Sequence, residues 1–132
     1  MSNNFEYSVV TNSRTELVRI DHLVDKAIQE SGIKQGICTV FVPHTTAAVT
    51  INEGADPSVV YDLLKEMNKV IPFNDNYSHM EGNSAAHIKS SLIGPSLSII
   101  VEKGKSRLGT WQSVFFCEFD GPRRRKVWIK VI

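Results

Sequence analysis

Neither sign of charge prevails in this chain. Fifteen Lys and Arg residues stand against 14 Asp and Glu, for a net charge of +1. A surface that holds nucleic acid or anionic lipid carries an excess of cations on one face, and no such excess is present. The one basic run, RRRK at 123–126, is four residues long and reads as a solvated stretch beside a strand. Long apolar runs are also missing. No stretch approaches the ~20 residues that cross a bilayer, and the first residues, MSNNFEYS, are polar where a signal peptide needs an apolar centre. Cysteine is scarce: Cys38 and Cys117 each lie inside an apolar segment, far apart. That predicts two buried thiols, not a disulfide or a metal-binding pair. Together these absences point to a cytoplasmic protein with no nucleic-acid or membrane partner. Repeats, low-complexity tracts and linkers are absent too. With 42% hydrophobic and 22% charged residues, the 132-residue chain is apolar enough for one domain, 1–132, around one core.

What is present reads as short, closely spaced elements. EYSVVT and TELVRI, separated by NSR, suggest a hairpin. Asp21 is placed to cap a helix running to about Ser31, with Val24, Ala27 and Ile28 inward and Gly32 as its stop. GICTVFV at 36–42 and AAVTINE at 47–53 are strands, broken by PHTT. Asp56 and Pro57 have the cap and first-position chemistry of a second helix, whose Val60, Leu63, Leu64 and Met67 recur at helical spacing. A polar loop, FNDNYSHMEGN, leads into a short helix from Ser84 to Leu92, closed by Gly94–Pro95. SLSIIVE, SVFFCEF and KVWIKVI complete the chain as strands; the last alternates Val127, Ile129 and Val131 against Lys126, Trp128 and Lys130. The order ββαββααβββ, without regular strand–helix alternation, predicts an α+β domain. It should have three helices and a largely antiparallel, sandwich-like sheet.

Three of the four histidines sit where polar loops meet element ends. His44 lies in PHTTAA, where Thr45 and Thr46 add hydroxyls that also suit a plain turn. His79, Glu81, Asn83 and His87 fall within nine residues, and Asn83 and His87, four apart, share a helix face. Asn83 is also an ordinary N-cap. His22, at a helix start, is set aside. Imidazole carries protons near neutrality and ligates metals. If the 43–46 turn packs beside this loop, His44, His79 and His87 could hold a divalent ion such as zinc or magnesium, with a position left for water or substrate. HMEGNSAAH is no recognised zinc signature, however. The loop EKGKSRLGTWQ could wrap an anion with Lys103, Lys105, Arg107, Thr110 and glycine-freed amides. Trp111 and Gln112 would then suit a flat heterocycle, but a charged hairpin loop has the same composition. Glu118 and Asp120, two apart on a strand, share a face that is either solvated or close to a cation.

VPHTTAAVTINEGADP, HMEGNSAAHIKSSLIGPS and SLSIIVEKGKSRLGTWQSVFFCEFDGPRRRK, which span most of the chain, resemble the YjbQ-like family, also called the secondary thiamine-phosphate synthase family. The resemblance implies a small α+β homotrimer that joins a pyrimidine diphosphate to a thiazole phosphate and releases pyrophosphate. The family's polar motif positions map onto His44, Asn52, Glu53, Asp56, His79, Glu81, Asn83, His87, Gln112, Glu118 and Asp120. Under this reading His44, His79, Glu81, His87, Glu118 and Asp120 are the catalytic candidates. Thr45, Asn52, Asn83, Lys103, Lys105, Arg107, Thr110 and Gln112 would hold a small phosphorylated substrate. Two other readings stay open: a metal-dependent hydrolase or lyase using the three imidazoles, and a non-catalytic binder of a phosphorylated metabolite.

Overall fold

A computed structural model describes residues 3–132. Its strands are β1 (Asn4–Val10), β2 (Glu16–Arg19), β3 (Gln35–Phe41), β4 (Ala47–Glu53), β5 (Ser96–Glu102), β6 (Lys105–Ser106), β7 (Gln112–Glu118) and β8 (Arg124–Val131). The helices are α1 (Asp21–Ser31), α2 (Pro57–Val70) and α3 (Ser84–Ile93). The α+β, antiparallel and sandwich-like expectations hold, with the two-residue β6 as an added strand.

One sheet has the order β1-β8-β3-β5-β6 and the other β2-β7-β4, and every pairing is antiparallel. β1 and β2 do not form the expected hairpin: β1 pairs with β8 and β2 with β7, one in each sheet. The NSR turn carries the chain from layer to layer, because period-2 alternation on both strands is satisfied equally well by a corner between sheets. Inward residues of the large sheet, among them Cys38, Val40, Ile99, Val127, Ile129 and Val131, pack on Ala47, Val49, Val114 and Phe116 of the small one. α1 contributes Val24, Ala27 and Ile28 to the same core, as their spacing predicts. The other face of the small sheet packs through Ala48, Cys117 and Phe119 on Ala86 of α3. β7 is therefore buried on both faces. Both cysteines are buried free thiols.

Most helix ends follow local chemistry. Asp56 accepts from Ser58 N–H at 2.9 Å and Pro57 opens α2, as expected. Gly32 stops α1 at φ +73°, in the left-handed region that favours glycine. Asp21, expected to cap α1, is instead its first residue, and its Oδ1 accepts the Val114 N–H at 2.8 Å, tying the helix to β7. The stripe on α2 differs as well. Leu63 and Met67 line an open apolar groove with Val59, Val70, Leu92 and Ile93, and no α2 residue is fully buried. Among the described residues no helix is long and apolar enough to cross a membrane.

Candidate functional site

The cleft opens where β3 ends and β5 begins. Val42 N–H bonds to Pro95 O at 2.7 Å and Phe119 N–H to Thr46 O at 3.2 Å, which fixes the 43–46 turn against β5 and β7. A hollow of about 740 Å³ forms there, lined by the turn, by His79, Glu81, Asn83 and His87, and by Asp120, Arg123 and Arg125. The expected convergence of the three imidazoles is thus present. His79 and His87 meet edge to face with ring centres 5.5 Å apart, and His79 Nε2 is 3.9 Å from Glu81 Oε2.

His44 is fixed at one nitrogen. Its Nε2 accepts the Lys126 backbone N–H at 2.9 Å, extending the β8 hydrogen-bonding edge past the end of β3. Burial first, and then the Arg125 charge, hold the imidazole below its ordinary pKa against the smaller opposing pull of Glu118. A neutral imidazole whose Nε2 accepts must carry its proton on Nδ1. In this pose His44 presents an N–H donor, and neither nitrogen has a lone pair free to take a proton or a metal.

Behind His44 stands a buried ion pair. Arg125 Nε donates to Glu118 Oε1 at 2.9 Å, and its NH2 donates to Glu118 Oε2 and to Thr46 Oγ1, the latter at 2.8 Å. Thr11 Oγ1 (2.8 Å) and Asp120 N–H (3.1 Å) complete the carboxylate's partners. Glu118 is 0% exposed and Arg125 3%. Burial alone would raise the Glu118 carboxyl. Its bonds from Arg125, Asp120 N–H and Thr11, together with the guanidinium charge, outweigh burial and hold it below the usual carboxylate range. Two expectations change here. Arg125 does not belong to a solvated basic run. Glu118 is the partner of that arginine, with its lone pairs used, and it is screened from the cleft. Gly121 belongs to the same packing: a Cβ there would lie 2.8 Å from Glu118 Cγ and 2.4 Å from Ser13 O.

Asp120 does reach the cleft. Its Oδ2 accepts from Asn83 Nδ2 at 2.9 Å and from Arg123 NH2 at 3.2 Å. Asn83 occupies the N-cap position of α3 yet makes no capping bond. Such a cap typically contributes about 1 kcal/mol, so the amide is committed to Asp120 in place of the helix. Its Oδ1 is buried with no partner among the described residues.

The remaining substrate-binding candidates lie elsewhere. β4 runs from Ala47, opposite Glu118 at the cleft, to Glu53, opposite Gln112. Six strand steps separate those ends, about 20 Å. Asn52, Thr110 and Gln112 therefore sit at the far end, where Gln112 Oε1 accepts from Gly109 N–H at 2.7 Å. The basic loop is remote too: Gln35 pairs with Glu102 at one end of β3, and Phe41 with Ser96 at the cleft end. Lys103 and Gly104 form the two-residue β5–β6 turn, both at positive φ, and Arg107 pairs with Glu102 at 3.1 Å. Within one chain Lys103, Lys105 and Arg107 cannot serve the cleft, because sequence proximity to β7 does not say at which end of a strand a loop emerges. Sequence reasoning missed Arg123 and Arg125. The inward alternation of Val127, Ile129 and Val131, carried back two residues, was the available signal for Arg125.

Two guanidinium charges face the three carboxylates of Glu81, Glu118 and Asp120, so the site is one unit negative while its imidazoles are neutral. An anion here would depend on N–H donors and on protonated imidazole. No set of three His, Cys, Asp or Glu side chains among the described residues is gathered closely enough to hold a metal ion. With His44 Nε2 committed, the three-imidazole metal set does not fit this arrangement without movement.

Fold and cleft define a small antiparallel α+β sandwich with a polar, imidazole-lined hollow at one end of its sheets. The chain belongs to the family described as UPF0047 protein YjbQ-like, whose model matches residues 5–132. It is 56% identical to the UPF0047 protein MJ1081 of Methanocaldococcus jannaschii, over 97% of this chain and 93% of that one. It is 48% identical to the UPF0047 protein YugU of Bacillus subtilis, over 94% and 95%. A crystal structure of an uncharacterised YjbQ/UPF0047 family protein from Clostridium acetobutylicum, 54% identical, superposes with a TM-score of 0.96 and covers 97% of this chain and 99% of that one. A protein of unknown function from Sulfolobus solfataricus, 33% identical, gives 0.93 over 97% and 94%.

Proposed function

We propose that the cleft binds a small phosphorylated molecule and transfers a group from it, in the manner of a thiamine-phosphate synthase. The thiazole nitrogen would attack the methylene carbon of a pyrimidine diphosphate. The carbon–oxygen bond breaks, pyrophosphate leaves with the electron pair, and a thiazolium remains. The observation that carries this reading is the meeting of His44, His79, His87, Asn83, Asp120 and Arg123 in one hollow. The reaction asks chiefly for stabilised negative charge on the leaving oxygens. His44 Nδ1–H, held as a donor, and the outer edge of Arg123 are suited to that task. His79 and His87 line the same hollow and are placed to donate to the leaving oxygens. Glu118 and Arg125 act through the wall they form. No step depends on a metal.

The homotrimer belongs to the same proposal. The α2–α3 groove of Leu63, Met67, Val70 and Leu92 is an apolar surface that one chain leaves open, and copies would meet there. Leu63→Glu should reduce the mass measured by light scattering to that of one chain. An unchanged mass would place the contact elsewhere.

The test is pyrophosphate release from a pyrimidine diphosphate mixed with a thiazole phosphate. His79→Ala and His87→Ala should each lower the rate at least ~100-fold, the range of proton-transfer and charge-stabilising groups, while melting temperature stays within a few degrees. Release that survives both substitutions would end this reading. So would metal-dependent pyrophosphate release that does not need the thiazole phosphate, which favours the hydrolase or lyase. Saturable binding without turnover would favour the binder.

A further inference from the structure

A second hollow, of about 420 Å³, lies on the outer face of the five-stranded sheet and touches the first. Strand register defines its floor. Glu6, Trp128 and Phe41 form one row across β1, β8 and β3; Asn4, Lys130 and Thr39 form the next row on that face. Phe41 belongs to both hollows. The Phe41 and Trp128 rings lie 5.9 Å apart and are tilted by only 16°. Trp128 is 46% exposed and Phe41 40%, so two large rings that could have served the core face solvent instead. The indole is also locked: Nε1–H donates to Glu6 Oε1 at 2.8 Å, and Lys126 Nζ stands 3.7 Å from the other Glu6 oxygen.

An immobilised aromatic ledge, a few polar groups at one edge and a volume within the range of small-molecule sites are the features of a ring-binding pocket. Lys130 makes no ion pair among the described residues, and Thr39 has its hydroxyl on the same row as Lys130. We propose that this basin is the ring subsite of the molecule whose anionic end occupies the cleft. A planar aromatic or heteroaromatic group lies on Trp128 and Phe41, with its polar edge towards Thr39 and Lys130. The inference rests on the functional reading above and adds where the ring of its substrate lies, a ring joined by one methylene to the phosphate.

Fluorescence titration of the Trp111→Phe protein tests it, since Trp111 lies at the far end of β7 and its removal leaves Trp128 as the only indole. The probes are benzyl phosphate, methyl phosphate and benzyl alcohol. Benzyl phosphate should bind at least ~10-fold more tightly than methyl phosphate, the scale of one aromatic stack, and should quench Trp128. In the Trp111-containing protein, followed by calorimetry, Trp128→Leu should erase that advantage and leave methyl phosphate unchanged. Equal affinities, or an advantage that survives Trp128→Leu, would overturn the proposal. Trp128 emission that shifts with protein concentration in the absence of probe would overturn it too, by showing the ledge covered by a second copy. Quenching by benzyl alcohol when neither phosphate group adds affinity would keep the ring site and sink the anion reading of the cleft.

Discussion

The wall of the cleft and the arm that lies over it hold their polar groups in opposite ways. In the wall, Glu118 and Arg125 are buried and bonded to each other, and to Thr11, Thr46 and the Asp120 N–H. In the arm, residues 71–83, the His79 and Glu81 side chains are 43% and 76% exposed, and among the described residues their one ionic contact is with each other at 3.9 Å. The arm is pinned at its two ends, where Phe73 lies between the Arg14 guanidinium at 3.6 Å and the Lys89 ammonium at 4.2 Å, and where Asn83 donates to Asp120 at 2.9 Å. The difference teaches a division of labour. The wall fixes where a donor points, through His44. The arm supplies side chains that can adjust to a guest. Substitutions in the wall should therefore change folding first, and those in the arm should change function first.

Glu118→Ala should separate the two most sharply. It leaves the Arg125 charge buried without its partner, which typically destabilises by about 3–5 kcal/mol, and urea denaturation would measure it. The double replacement Glu118→Leu with Arg125→Met should recover most of that loss, because apolar pairs of similar volume commonly substitute for buried ion pairs. A loss below about 1 kcal/mol in the single variant would make the wall no more structural than the arm.

Lys89 tests the root of the arm. Burial, and then the Arg14 charge, bring its ammonium down to about 8 from 10.5. The unfolded chain keeps that proton to higher pH, so this lysine makes the fold gain stability as pH rises from 8 towards 10.5. Cys38 and Cys117, pushed up by burial from 9.0 to about 11 and about 12, work the other way above pH 9. The diagnostic quantity is therefore the difference between the native chain and Lys89→Met, followed by urea denaturation across that range. The native chain should gain relative to the variant as pH rises, and a constant difference would mean that Lys89 does not titrate there.

The smallest effect on stability is expected in the arm. His79→Ala should change unfolding free energy by no more than about 0.5 kcal/mol, as exposed positions usually do. A larger change would make His79 part of the scaffold.

Much of this arrangement was legible before the fold was known. The PHTT turn and HMEGNSAAH announced themselves because their residue types are poor choices for a core and sit at element ends. Their meeting required only that the β3–β4 turn and the start of α3 share one end of the sandwich. The basic loop misled because its composition suits an anion whether or not it lies near one. Which end of a strand a loop emerges from depends on the number and direction of crossings, and β1 and β2 joining different sheets shows how little a short polar turn says about that. Arg125 and Glu118 were hidden for another reason. A charged residue inside a strand reads as solvent-facing until its partner, seven positions away across a turn, is seen beside it.

The account stands on ligand contact at the Phe41–Pro95 end of the sheets, and nitrogen NMR of the four labelled histidines during titration with pyrophosphate tests it most directly. His44 should report a neutral ring protonated at Nδ1, and the signals of His44, His79 and His87 should move while His22 stays still. Unmoved signals at His44, His79 and His87 at saturating pyrophosphate would contradict the account.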